Sequence, residues 1–195
     1  MKIAAVLMAA GASVRFGECK LIKQFNSRPM YEYALDALPH DKLCSVAVVS
    51  GREEILLRAK SLGFIPVFND KPEEGPPRTI RLGLDAVGDA DGVMFMVADQ
   101  PLLKRQSVAN EIDFFIENGG KYIVSMGCGT RRGNPVIFPR EFFGELSSLS
   151  GERGGGAVIA AHKDKLMLYN IGDETELMDI DTVSDYTRLI EEGKI

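Results

Sequence analysis

Small residues and two cations occupy the segment that follows the first apolar run of the chain. Residues 7–17 read LMAAGASVRFG, and Lys20 follows shortly afterwards. Small side chains let backbone N–H groups approach a phosphate closely, and such N–H groups form a concave anion site. Arg15 and Lys20 add positive charge, and charge-assisted hydrogen bonds are about twice as strong as neutral ones. We therefore predict a triphosphate site that includes Ala9, Ala10, Gly11, Ala12, Ser13, Arg15 and Lys20.

Two familiar glycine motifs do not match this loop. The dinucleotide fingerprint G-x-G-x-x-G needs a second Gly where Ser13 stands, and Gly17 comes one position too late for the third. The P-loop needs a Lys directly after its last Gly, but Glu18 follows Gly17. The sequence thus disfavours a nicotinamide oxidoreductase and a P-loop enzyme.

An aspartate stands where a second apolar run ends. Val93 to Val97 is uninterrupted, and Asp99 comes two residues before Pro101, where the chain leaves the predicted strand. Mg²⁺ binds carboxylate oxygens together with substrate phosphates, so one Asp at a strand end can anchor it above a triphosphate. Asp99 is therefore the candidate Mg²⁺ ligand and, with Lys20 and Arg15, forms the predicted catalytic set.

A scaffold of alternating strands and helices must position these residues. Apolar runs predict strands at 3–8, 45–49, 65–68, 93–97, 122–126, 136–138 and 166–170. Helical periodicity predicts helices near 30–38, 53–62, 79–87, 108–118, 141–149, 156–161 and 183–192. The alternation predicts an α/β fold, a single three-layer domain over residues 1–195 with a mostly parallel, Rossmann-like sheet. Ligands of such sheets bind outside the carboxyl ends of the strands. The small-residue segment after the first strand (residues 9–17), which we call the glycine loop, and Asp99 both lie at such ends.

Composition narrows the classes of partner and compartment. The 195 residues are 45% apolar and 26% charged, which is typical of a globular protein, and the net charge of −5 disfavours nucleic acid and anionic membranes as partners. No apolar run approaches the roughly 18 residues of a membrane span. The three cysteines (Cys19, Cys44 and Cys128) are widely spaced, which is typical of the reducing cytoplasm.

The loop resembles the LAAGxSxRFGxxK loop of the MobA-like nucleotidyltransferases, above all that of the molybdenum cofactor cytidylyltransferases. The similarity continues in order through RPM (28–30), ADQPLL (98–103), RGNPVIF (132–138), GERGG (151–155) and DIDT (179–182). It implies the nucleotide-diphospho-sugar transferase type of fold and transfer of CMP from CTP to molybdopterin, with Mg²⁺ as cofactor and release of pyrophosphate. It also suggests a molybdenum hydroxylase as a partner.

The resemblance also implies roles for single residues. Asp99 corresponds to the family's metal ligand, and related nucleotidyltransferases have a second metal-binding Asp at the position of Asp181. Thr182 and Asp185 match a helix capping box, however, so Asp181 is either a metal ligand or a structural residue at a helix start. Nucleotide contacts are expected from Ser50, Asp70 and Arg78, and acceptor contacts from Arg131, Arg132 and Asn134, the two arginines lying in a predicted turn at 127–133. Pro76 and Pro77 depart from the Ser-rich stretch that cytidylyltransferases carry before this helix.

The predicted reaction needs positioning and charge neutralisation. An acceptor phosphate monoester is largely dianionic near neutral pH, since its second pKa is about 6, so no general base is required. Both His residues accordingly stand outside every motif. Three alternatives remain: guanylyl transfer to the same cofactor, transfer to a sugar or alcohol phosphate, and a non-catalytic accessory role in molybdenum hydroxylase maturation.

Overall fold

The strands of the chain form one large sheet and one small hairpin. The computed structural model describes residues 1–11, 19–25, 27–180, 182, 184, 185 and 187. Within these residues the strands are β1 (Ile3–Met8), β2 (Gln24–Phe25), β3 (Arg28–Pro29), β4 (Ser45–Ser50), β5 (Ile65–Phe68), β6 (Gly92–Val97), β7 (Ile123–Cys128), β8 (Arg131–Pro139) and β9 (Leu166–Asn170). Strands β2 and β3 pair only with each other.

The large sheet has seven strands in the order β5-β4-β1-β6-β8-β7-β9. Strand β8 runs antiparallel to both of its neighbours, and all the other pairs are parallel. The predicted α/β fold with a mostly parallel sheet is therefore confirmed. One local prediction is wrong: residues 131–133 belong to β8 and not to a turn, and Arg131 and Arg132 pair with β7.

Within the described residues, six α-helices cover the two faces of the sheet. They are α1 (Met30–Asp36), α2 (Glu53–Ser61), α3 (Pro76–Val87), α4 (Arg105–Glu117), α5 (Phe143–Ser147) and α6 (Gly156–Ala161). Helix α3 begins three residues earlier than predicted, since proline is tolerated in a first helical turn, where N–H groups have no partner within the helix. The predicted helix at 183–192 falls largely outside the described residues. Nowhere in the described ranges is there a helix long and apolar enough to cross a membrane.

Alternate residues of β1 point into two separate cores. Ile3, Ala5 and Leu7 are buried with residues of α1, α2 and α4, whereas Ala4 and Val6 are buried with residues of α3, α5 and α6. Helix α3 lies directly on β1, because a Cβ atom at Gly83 would stand only 2.3 Å from Cγ1 of Val6. This close approach holds α3 against the strand that ends in the glycine loop.

Candidate active site

The glycine loop and Asp99 leave the sheet side by side. Strands β1 and β6 are parallel neighbours in which Met8 pairs with Val97, so Ala9 and Ala98 follow adjacent strand ends. The N–H of Ala9 donates to the carbonyl of Val49 at 2.9 Å, which ties the start of the loop to β4. The sheet edge predicted for ligand binding therefore carries both segments.

A partly buried ion pair joins these two segments. Lys20 opens a short 3-10 helix (Lys20–Ile22), and its Nζ donates to Oδ2 of Asp99 at 2.7 Å. The side chains are 11% and 23% exposed. The other oxygen of Asp99, Oδ1, is buried and has no hydrogen-bond partner among the described residues. Lys20 is therefore a partner of Asp99 and not a solvated loop cation.

The pair lies in the wall of a cleft that we call the Lys20 cleft. Its volume is about 330 Å³, within the usual range for ligand pockets. Its walls come from the glycine loop, the Asp99 segment and the start of α3, and they consist of Met8, Ala10, Gly11, Lys20, Leu21, Pro72, Gly75, Pro76, Thr79, Val97, Ala98 and Asp99.

A second cleft adjoins the first, and we call it the Arg132 cleft. Its volume is about 350 Å³, and its polar side chains are those of Arg132 and Asn134. Gly154, Gly155 and Gly156 contribute to its wall, and a Cβ atom at Gly155 would lie 3.1 Å from the ring of Phe138. The two clefts have three wall residues in common, namely Met8, Pro76 and Val97. Ligands bound in the two clefts would therefore be neighbours.

Four of the predicted nucleotide-binding residues that the structure describes do not line the Lys20 cleft: Ala9, Ser50, Asp70 and Arg78. Ser50 is fully buried, and its hydroxyl donates to the carbonyl of Ala9 at 2.9 Å, so it supports the loop from behind. Asp70 pairs with Arg78, and this hydrogen bond holds the pKa of the Asp70 carboxyl below its usual value. Arg78 also donates to Asn69 at 3.0 Å. Direct nucleotide contacts by Ser50, Asp70 and Arg78 stay predictions.

The predicted acceptor residues also separate. Arg132 and Asn134 line the Arg132 cleft, but Arg131 is not part of that wall. Arg131 instead donates through Nη2 to the carbonyl of Leu177 at 3.1 Å. Successive residues of a strand point to opposite sides, which explains why two adjacent arginines have different surroundings.

Two residues at or beside the Lys20 cleft, Thr79 and Asn69, were not predicted as site residues from the sequence. Thr79 lines the Lys20 cleft and is 4% exposed, and its hydroxyl accepts a hydrogen bond from Nδ2 of Asn69 at 3.2 Å. Asn69 is 1% exposed, and its Oδ1 accepts from the N–H of Lys71 at 3.1 Å. An Asn at a strand end is an ordinary loop former, and only the fold brings it to Thr79.

Some predicted site residues fall outside the described part of the chain: Ala12, Ser13, Arg15 and Asp181. The predicted capping box beside Asp181 is confirmed. The N–H of Asp185 donates to Oγ1 of Thr182 at 3.1 Å, and the N–H of Thr182 donates to Asp185 at 2.8 Å. Within the described residues, no three His, Cys, Asp or Glu side chains cluster as a metal site. Asp99, with one buried unpartnered oxygen, fits a ligand for Mg²⁺ that is held mainly by its substrate.

Comparison with known proteins gives the same outline. Residues 5–166 match the model of the MobA-like NTP transferase domain. The probable molybdenum cofactor guanylyltransferase of Pyrococcus horikoshii is 30% identical over 159 residues, which cover 78% of this chain and 76% of that protein. The bifunctional protein GlmU of Clostridioides difficile is 23% identical over 142 residues, which cover 72% of this chain but only 30% of GlmU.

Solved structures share the fold along the whole chain. A homologue of Mycobacterium tuberculosis Rv0371c, from Mycobacterium sp. strain JC1, superposes with a TM-score of 0.82 at 22% identity and covers 98% of both chains. The CMP:2-keto-3-deoxy-manno-octonic acid synthetase, solved with CTP, superposes with a TM-score of 0.73 at 13% identity and covers 100% of both. These similarities confirm the nucleotide-diphospho-sugar transferase type of fold.

Proposed function

Because the chain belongs to the MobA-like NTP transferase family, we propose that it transfers CMP from CTP to the phosphate of a molybdopterin-type acceptor and releases pyrophosphate. The observation that carries this proposal is the partly buried Lys20–Asp99 pair in a cleft that adjoins the Arg132 cleft. One cleft suits the triphosphate, and the other suits a phosphate-bearing acceptor.

The nucleotide phosphates bind in the Lys20 cleft. The N–H groups of the glycine loop, Lys20 and Arg15 neutralise charge that develops on the α-phosphate and on the departing pyrophosphate. Mg²⁺ held by Asp99, with Asp181 as a second ligand, supplies further neutralisation when it is bound. Asp99 also keeps the Lys20 ammonium oriented in the cleft wall, since the two groups are 2.7 Å apart.

The acceptor binds in the Arg132 cleft. Its terminal phosphate pairs with the guanidinium of Arg132, which suits bidentate phosphate recognition, and Asn134 adds a neutral donor. An acceptor oxygen attacks the α-phosphorus of the nucleotide, and the bond from that phosphorus to the pyrophosphate breaks. The acceptor is already dianionic near neutral pH, so the step needs no side-chain base.

Neither histidine takes part in this step. His162 lies 2.7 Å from Glu145, and His40 lies 3.3 Å from Arg105. Both lie outside the walls of the two clefts. We further propose a cytoplasmic enzyme, because Cys19, Cys44 and Cys128 are free thiols. A molybdenum hydroxylase that receives the product is the partner that this function suggests.

Guanylyl transfer is the second candidate. The Pyrococcus relative carries the name of a guanylyltransferase. The Ala9-Ala10-Gly11 sequence, in contrast, resembles that of the molybdenum cofactor cytidylyltransferases. The Pro76–Pro77 start of α3, which lines the Lys20 cleft through Pro76, differs from those cytidylyltransferases and bears on base recognition.

One experiment separates these candidates. The purified chain is incubated with Mg²⁺, molybdopterin and each nucleoside triphosphate in turn, and pyrophosphate and product mass are measured. We expect CTP to exceed GTP and ATP by at least tenfold in kcat/KM, about 1.4 kcal/mol. Equal or better use of GTP would replace the cytidylyl assignment by the guanylyl one. Absence of pyrophosphate with every nucleotide would leave the accessory role.

The matched control is Asp99→Asn. This variant keeps the shape of the side chain but loses the anionic charge, and it should lose activity with each nucleotide alike. Retention of parental activity would contradict the role of the Lys20–Asp99 pair.

A further inference from the structure

The segment before residue 181 runs beside the turn that carries Asp99. We call residues 173–180 the C-terminal strap and residues 98–104 the Asp99 turn. The N–H of Ile180 donates to the carbonyl of Asp99 at 3.0 Å, and Nε2 of Gln100 donates to Asp179 at 2.9 Å. These contacts fasten the end of the strap to the start of the turn.

A second set of contacts fastens the other end. The N–H of Lys104 donates to Oε2 of Glu176 at 3.0 Å, and the Lys104 ammonium lies 3.2 Å from Oε1. The strap and the Asp99 turn are antiparallel, because Gln100 bonds Asp179 whereas Lys104 bonds Glu176. The strap therefore lies along the whole turn. Gln100 and Glu176 are only 2% and 3% exposed, so one partner of each contact is buried.

The strap also reaches the acceptor side. The side chain of Leu177 packs against Gly133, where a Cβ atom would stand 3.1 Å from Leu177 Cδ2. Gly133 belongs to the wall of the Arg132 cleft. One segment therefore contacts both the Asp99 turn and the wall of the second cleft.

We propose that Gln100 and Glu176 are positioning residues for nucleotidyl transfer. Neither residue lines the Lys20 cleft or the Arg132 cleft. By holding the strap on the Asp99 turn, they keep the Asp99 carboxylate against Lys20 and in a fixed relation to the Arg132 cleft. Displacement of a reacting group by about 1 Å can cost as much as 10²-fold in rate, so this support bears on turnover. The effect on turnover rests on the proposed function, whereas the mechanical role does not.

A donor–acceptor swap tests the contact between Gln100 and Asp179. Gln100→Glu sets a carboxylate against Asp179 and should lower kcat by about tenfold or more, with KM for the nucleotide changed less than about threefold. Gln100→Glu with Asp179→Asn restores a donor and an acceptor at the parental net charge and should return kcat to within about threefold of the parent. A folded double variant as slow as the single one would overturn the proposal.

The strap offers a matched pair of acids for the other contact. Glu176→Gln removes the charge that the Lys104 ammonium faces and should lower kcat. Glu174→Gln changes an exposed acid of the same 3-10 helix (Glu174–Leu177) and should not. Equal effects of the two substitutions would contradict the assignment of Glu176.

Amide hydrogen exchange provides a readout that does not depend on activity. The Ile180 N–H should exchange at least about tenfold faster in Gln100→Glu than in the parent, and at the parental rate in the double variant and in Glu174→Gln. An Ile180 exchange rate in Gln100→Glu equal to that of the parent would overturn the proposal. A faster exchange rate combined with a parental kcat would overturn it as well. A parent without transfer activity refutes the proposed function, and the Ile180 exchange rate then decides the mechanical role by itself.

Discussion

Removal of the Lys20 ammonium should cost both stability and rate, and the two costs have one origin. Lys20→Met keeps an unbranched apolar side chain but removes the donor that lies 2.7 Å from Asp99. The Asp99 carboxylate then loses its partner on Oδ2, while Oδ1 has none among the described residues. An unpaired carboxylate in this position can be stabilised only by water that enters through the cleft.

The exposure of the two side chains sets the size of the effect. Breaking a fully buried ion pair costs about 3–5 kcal/mol. Asp99 is 23% exposed, so water reaches it in part, and we expect about 2 kcal/mol for Lys20→Met. For a chain of this length, that corresponds to a Tm lower by about 4–8 °C. Asp99→Asn should cost less, because the amide oxygen still accepts from the ammonium.

A double-mutant cycle isolates the pair from other contacts of Lys20. Lys20→Met, Asp99→Asn and their combination are compared with the parent by urea unfolding and by pyrophosphate release. The stability losses should fall short of additivity by at least about 1 kcal/mol. Each single variant should lose about 10²–10³-fold in kcat, and the combination should be little slower than the slower single variant. Stability losses that add within about 0.5 kcal/mol, with near-parental turnover of Lys20→Met, would refute the reasoning.

Three further predictions concern other parts of the chain. Arg132→Ala should raise the acceptor KM by about tenfold or more in steady-state kinetics, because Arg132 lines the acceptor cleft. Arg131→Ala should leave this KM within about threefold but lower Tm in melting curves, because Arg131 bonds Leu177. Equal effects of the two substitutions on KM would contradict the assignment of Arg132 alone to the acceptor. Burial raises the pKa of Glu111 well above 4.5, so above that pH the unfolded chain loses a proton that the folded protein keeps. The free energy of unfolding, measured with urea, should therefore fall with rising pH by up to about 1.4 kcal/mol per pH unit. Glu111→Gln should remove this dependence, and the same pH profile in parent and variant would contradict the prediction. Asp181→Asn should raise the Mg²⁺ concentration needed for half-maximal rate. It should change stability by only a few tenths of a kcal/mol, because Thr182 and Asp185 form the capping box with each other. An unchanged Mg²⁺ requirement would show that Asp181 is a structural residue.

The amino-acid sequence determines which segments meet at the reactive edge. Apolar runs of period and length typical of buried strands end at Met8 and Val97, and the carboxyl ends of parallel strands lie together. That is enough to bring the glycine loop and Asp99 to one edge and to predict the α/β fold. The capping box of Thr182 and Asp185 is likewise readable, because it depends on residues three positions apart.

Only the tertiary structure decides how those segments pair. Lys20 and Asp99 are 79 positions apart, and nothing in the spacing says that the cation bonds the carboxylate. The pairing of β8 with β7 makes Arg131 and Arg132 successive strand residues that face opposite sides, and the packing of the strap joins Glu176 to Lys104. Periodicity and local signals describe neighbours along the chain, whereas strand order and close packing set distances across it. The residues at the edge were therefore predictable, but their partners were not.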